Sequence, residues 1–123
     1  MELIQTRALR GPNLWSRYTA LEVEVQCTPQ ECALDAVNGY IETLLSTCPG
    51  IGALGATGYQ GPLTVAHALE ATLLALQAQA GCPVSFSCTN ATPVTGVFQV
   101  VVEYSEEDVG NLALKMAKEI VEH

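Results

Sequence analysis

A chain of 123 residues with 49% hydrophobic and 15% charged content is sized and composed for one compact domain, 1–123, and not for two or for a disordered segment. Thirteen acids against five bases give a net charge of -8, which repels a phosphate backbone and makes nucleic acid an unexpected partner, while a cationic ligand would be drawn in. No apolar run approaches the length of a bilayer span, the five cysteines form no CxxC pair, and no secretory signal stands at the N-terminus, so a cytoplasmic setting with small buried thiols is expected.

Residues 2–9 read as a first strand with Ile4, Thr6 and Ala8 on one face. Arg10-Gly11-Pro12-Asn13-Leu14-Trp15-Ser16 follows as a turn, with the only Trp of the chain placed to plug the end of a sheet. Three of the five cationic side chains, Arg7, Arg10 and Arg17, lie in or beside this turn. From Tyr18 to Cys27 the sequence alternates: Leu21, Val23 and Val25 face one way, Glu22, Glu24 and Gln26 the other. That period predicts a half-buried antiparallel strand paired with the first.

Thr28, Pro29 and Glu31 spell a helix start, and a helix is expected to about Thr47. Residues 49–62 hold five Gly and two Pro in fourteen positions and read as a loop. Leu63 to Ala80 is the strongest helical stretch, with Val65, Leu69, Leu73, Leu76 and Ala80 as its apolar stripe and Gly81 at its C′ position. Cys82 to Thr89 reads as a strand, Asn90 to Val94 as a turn, and Thr95 to Tyr104 as the last strand. Ser105 with Asp108 opens a final helix that buries Val109, Leu112, Met116, Ile120 and Val121. The order β-β-α-α-β-β-α predicts an α+β fold: a four-stranded, largely antiparallel sheet with about three helices on one face.

His67 and Glu70 stand at i and i+3 on one helix face. Such a pair can hold a metal, move a proton, or serve structure. No Gly-x-Ser-x-Gly elbow appears, and the chain reads as a binding module more than as an enzyme. Its signs are unevenly spread: residues 1–17 carry three Arg and only Glu2. If cationic and acidic patches face one groove, that groove suits a ligand bearing both signs.

Leu9-Arg10-Gly11-Pro12-Asn13-Leu14-Trp15-Ser16, the helix His67 to Gln77, Ala80 to Phe86, Gly96 to Tyr104 and Glu106 to Gly110 fall in an order that resembles the N-terminal domain of cyanophycin synthetases. The resemblance covers nearly the whole chain; residues 28–62 match poorly and look shortened. It implies a domain followed, in a parent protein, by an ATP-grasp domain that adds Asp and a Mur-ligase-like domain that adds Arg. ATP and Mg belong to those absent ligase domains, and no cofactor is expected here. The implied partners are the cyanophycin polymer and the ligase domains of the same parent, itself expected to be a homo-oligomer.

Some relatives of this kind are metallopeptidases that trim the polymer to primers, with a His-x-x-Glu-His helix and a further Glu four residues later. Here His67 and Glu70 match, while Ala71 and Ala75 stand at the other two positions. The resemblance therefore implies a version with no catalytic residue and no metal ligand set. A non-catalytic, polymer-anchoring role is the leading expectation, with Arg7, Arg10, Trp15, Arg17, Glu22, Glu24, His67 and Glu70 as candidate contacts. A zinc-dependent hydrolase using His67, Glu70 and ligands elsewhere is the alternative, and a structural inter-domain or oligomerisation role is the third.

Overall fold

The computed structural model describes residues 1–15, 17–29, 64–82, 84 and 86–122. Within them the order is β1 (Glu2–Leu9), β2 (Ala20–Gln26), α1 (Val65–Gln79), β3 (Ser87–Ala91), β4 (Val97–Glu103) and α2 (Glu107–Glu122). The sheet runs β1-β2-β4-β3, and all three pairings are antiparallel. This is the α+β architecture that the alternation and the hairpin signals predict. The described residues contain two helices rather than three; the helix expected over 28–47 and the loop over 49–62 lie outside them.

The two central strands carry the core. Leu21, Val23 and Val25 of β2 pair with Val102, Val100 and Phe98 of β4, and their side chains share one sheet face with Leu69 and Leu73 of α1 packed over it. Val23, Val25, Val100 and Leu69 are wholly buried, and each such side chain contributes about 1.5–3 kcal/mol. α2 packs on α1. Cys27 adds its thiol to the same cluster.

β2 is more buried than a strand with one wet face. Ala20, Val101, Glu103 and Glu22, all on the face opposite α1, are buried as well. β1 departs from regular alternation too. A register shift falls between Leu3 and Gln5, which puts Leu3, not Ile4, in phase with Thr6 and Ala8. Ile4 is left 49% exposed.

The ends of α1 follow the sequence. Thr64 sits at its N-cap, and Gly81, with φ of 79°, takes C′. Cys82 N–H donates to the Gln77 carbonyl at 2.8 Å and Gly81 N–H to the Ala78 carbonyl at 3.0 Å, a Schellman closure. Its buried face is broader than the expected stripe. Ala66 to Leu73 is buried throughout, whereas Ala80 is exposed.

Two boundaries move. The strand expected over 82–89 is β3 at Ser87–Ala91, because Asn90 and Ala91 pair with Gln99 and Phe98, and the turn closes later, at Gly96 with φ of 81°. The last helix begins at Glu107, with Glu107 and Asp108 in its first turn where the dipole favours them. Its buried side is Gly110, Ala113, Leu114 and Ala117. Leu112 and Met116, expected inside, are 58% and 42% exposed. Small residues let α2 lie close against α1, and that requirement sets the phase of the helix.

Candidate functional site

Asn13 holds the turn after β1 together. Its Nδ2 donates to the carbonyls of Arg10 at 3.2 Å and Tyr18 at 2.9 Å, and its Oδ1 accepts from Trp15 N–H at 2.9 Å. The Gly11–Pro12 peptide is cis. A Cβ at Gly11 would lie 2.2 Å from the Arg17 carbonyl oxygen, so the two limbs of the turn meet at a residue without a side chain. Arg10 and Arg17 are exposed, Trp15 is half-buried, and Leu14 projects at the tip, 98% exposed.

Arg7 does not join that cluster. It lies opposite Glu22 in the β1–β2 ladder, and its guanidinium makes an ion pair with Glu22 Oε1, including a bond from Nε at 3.1 Å. That hydrogen bond and the charge of Glu22 hold the Arg7 guanidinium above its ordinary value. Glu22 is buried beneath Arg7, whereas Glu24, two residues on, is half-buried on the same face. The two acids therefore sit in different surroundings.

His67 and Glu70 are both buried, at 4% and 7% exposure. His67 Nδ1 accepts from Thr64 N–H at 3.1 Å and lies 3.0 Å from Thr64 Oγ1. With Nδ1 accepting, the neutral ring carries its proton on Nε2. Burial lowers the His67 pKa and favours that neutral form. Its ring meets Phe98 edge-on, centroids 6.4 Å apart. Glu70 is tied to the edge strand: Ser87 Oγ donates to Oε2 and Thr89 Oγ1 to Oε1, each at 2.6 Å. Ala71 and Ala75 are buried in the same helix. Among the described residues, no three His, Cys, Asp or Glu side chains converge as a metal site, and no helix is long and apolar enough to cross a membrane.

The antiparallel order brings four strand ends to one edge of the sheet: the C-terminal ends of β1 and β4 and the N-terminal ends of β2 and β3. A groove of about 740 Å³ opens there. The turn supplies Gly11, Arg17, Tyr18 and Thr19, and the β4–α2 corner supplies Glu103, Tyr104 and Ser105. Of the sequence candidates only Arg17 lines it. Tyr18, Thr19, Glu103 and Tyr104 were legible as residues at or near strand ends and Ser105 as a helix start, and only the strand pairing shows that they meet.

The corner is firmly held. Tyr104 N–H donates to the Thr19 carbonyl at 3.0 Å, and Thr19 Oγ1 donates to the Tyr104 carbonyl at 2.7 Å. Glu103 N–H donates to the Phe86 carbonyl at 3.1 Å, and Gln77 Nε2 donates to the Glu103 carbonyl at 3.0 Å.

Residues 21–123 match the model of a family described as the cyanophycin synthase-like N-terminal domain. Cyanophycin synthetases of Trichormus variabilis and Geminocystis herdmanii are each 29% identical over 130 residues, and that of a Synechocystis species is 26% identical over 129. These alignments cover 95% of this chain but only 14–15% of the relatives, so the chain spans a small N-terminal share of the proteins it resembles. With residues 21–123 matched, the chain belongs to the cyanophycin synthase-like N-terminal domain family.

Proposed function

We propose that this chain is a non-catalytic, polymer-holding domain of a cyanophycin synthetase, keeping the Asp/Arg polymer near ligase domains that use ATP and Mg. Tethering a chain beside an active site raises its effective concentration without chemistry. The observation that carries the reading is the state of α1. Glu70 has an oxygen bonded to Ser87 and the other to Thr89, and Ala71 and Ala75, where a trimming enzyme would present donors, fill the interior instead. A carboxylate clamped between a helix and a strand serves packing.

Each polymer unit presents a guanidinium and a carboxylate, which carboxylate and Arg side chains pair with through charge-assisted hydrogen bonds. Titration calorimetry of the chain with soluble cyanophycin is expected to show binding at low salt that weakens as salt rises. A folded chain that takes up no polymer at low salt overturns the proposal. Metal analysis with a primer-release assay is the counter-test. Stoichiometric zinc, with release lost in His67→Ala, would reverse the reading in favour of a hydrolase.

A further inference from the structure

Strand β1 ends the sheet, and its partner is β2, so among the described residues no strand lies along its outer edge. It is eight residues long, Glu2–Leu9, and contains no Pro. Only Leu3 and Leu9 are half-buried; the other side chains are exposed, Ile4 at 49%. The opposite edge differs: β3 is five residues long, and Ser87 and Thr89 are bonded to Glu70 of α1. An edge as long as β1 presents a row of N–H and C=O groups that a further strand can pair with. From Gln5 to Leu9 the ladder with β2 is regular, so the bulge after Leu3 leaves five consecutive residues in good strand geometry.

The charges along the strand select the partner and its direction. Glu2 stands at one end, and Arg7 and Arg10 stand toward the other. A parallel second copy would set like charges side by side. An antiparallel copy sets the acid end of each strand against the cationic end of the other. Centred on Thr6, that arrangement places Thr6 opposite Thr6, Gln5 opposite Arg7 and Ile4 opposite Ala8. It also carries Glu2 to the Arg10 end of the second copy. Thr–Thr and aliphatic pairs of this kind stabilise a ladder, and opposite charges add to it. Thr6 and Ala8 lie on the sheet face that carries Val23 and Leu21, so the Ile4–Ala8 pair extends the helix-side apolar surface across the junction.

We infer that the outer edge of β1 is a self-pairing surface, joining two copies of this chain about a two-fold axis at Thr6 into one eight-stranded sheet. The junction uses the same edge on both copies, so assembly closes at two. It needs no polymer, and its failure would leave the proposed function untouched.

Sedimentation equilibrium of the full chain from about 10 µM to 1 mM is the test, because a junction this small dissociates on dilution. A monomer–dimer equilibrium is expected. Ile4→Lys places a charge in the ladder of each copy and is expected to weaken the dimer about tenfold or more. Glu2→Lys is expected to weaken it about fivefold, and Arg10→Glu added to Glu2→Lys to restore it. Leu112→Ser, on the exposed side of α2, is expected to leave it unchanged. Near-UV circular dichroism matching the parent verifies each fold, and the charge exchange tests the pairing should Ile4→Lys fail to fold. A parent that stays monomeric to 1 mM overturns the inference, and so do assemblies larger than two. A dimer that withstands both Ile4→Lys and Glu2→Lys, or that is lost in Leu112→Ser instead, places the junction elsewhere and overturns it too.

Discussion

Glu70 shows how an acidic side chain becomes part of the framework. Its carboxylate is out of water, and two hydroxyls from β3 donate to it at 2.6 Å. Glu70→Ala strands both hydroxyls, and hydrogen bonds to a charged group are worth about 1.5–3 kcal/mol each. The variant is expected to lose about 3 kcal/mol in urea unfolding, with polymer binding per folded molecule unchanged. His67 contributes through its protonation state. Burial holds its imidazole below the ordinary value of 6.5, so the unfolded chain takes up a proton at higher pH than the folded one. The His67 contribution is complete above pH 6.5 and is lost as pH falls from there through the folded value. The urea midpoint is therefore expected to be lower at pH 5.5 than at 7.5, by a margin that shrinks in His67→Gln. The i, i+3 spacing of the two residues is plain in the sequence. Their burial is not, because it depends on Ser87 and Thr89, far along the chain, and on a strand register that no local pattern encodes.

Helix α2 carries the clearest misreading of an element, and the reason is physical. Its apolar residues fit more than one helical phase, and size favours Leu112 and Met116 as the inner face. The phase adopted instead buries Gly110, Ala113, Leu114 and Ala117, because small side chains allow the helix to approach α1. Leu112→Ser is accordingly expected to change stability by no more than about 0.5 kcal/mol. Ala117→Leu, wholly buried in the parent, is expected to destabilise by about 1–3 kcal/mol through overpacking. Thermal unfolding of the two variants separates the phases. Strand β1 was legible in its limits, Glu2–Leu9, but not in its facing, since a bulge shifts the alternation after Leu3. The C-terminus of α1 was legible in full: Gly81 falls at C′ and adopts the positive φ that the Schellman closure requires.

At the scale of the molecule, the α+β class follows from two hairpins flanking helical sequence, and the sheet order β1-β2-β4-β3 follows from pairing the two most apolar strands in the middle. The groove could not be read from the sequence, because its walls come from Gly11, residues 17–19, Val84 and residues 103–105, and only sheet closure brings them together. Its floor also has a second neighbour. Tyr104 lines the groove and packs against Gly110, where a Cβ would lie 2.9 Å from Tyr104 Cβ and 3.1 Å from its Cγ. Gly110→Ala would crowd that ring and is expected to lower the temperature of thermal unfolding.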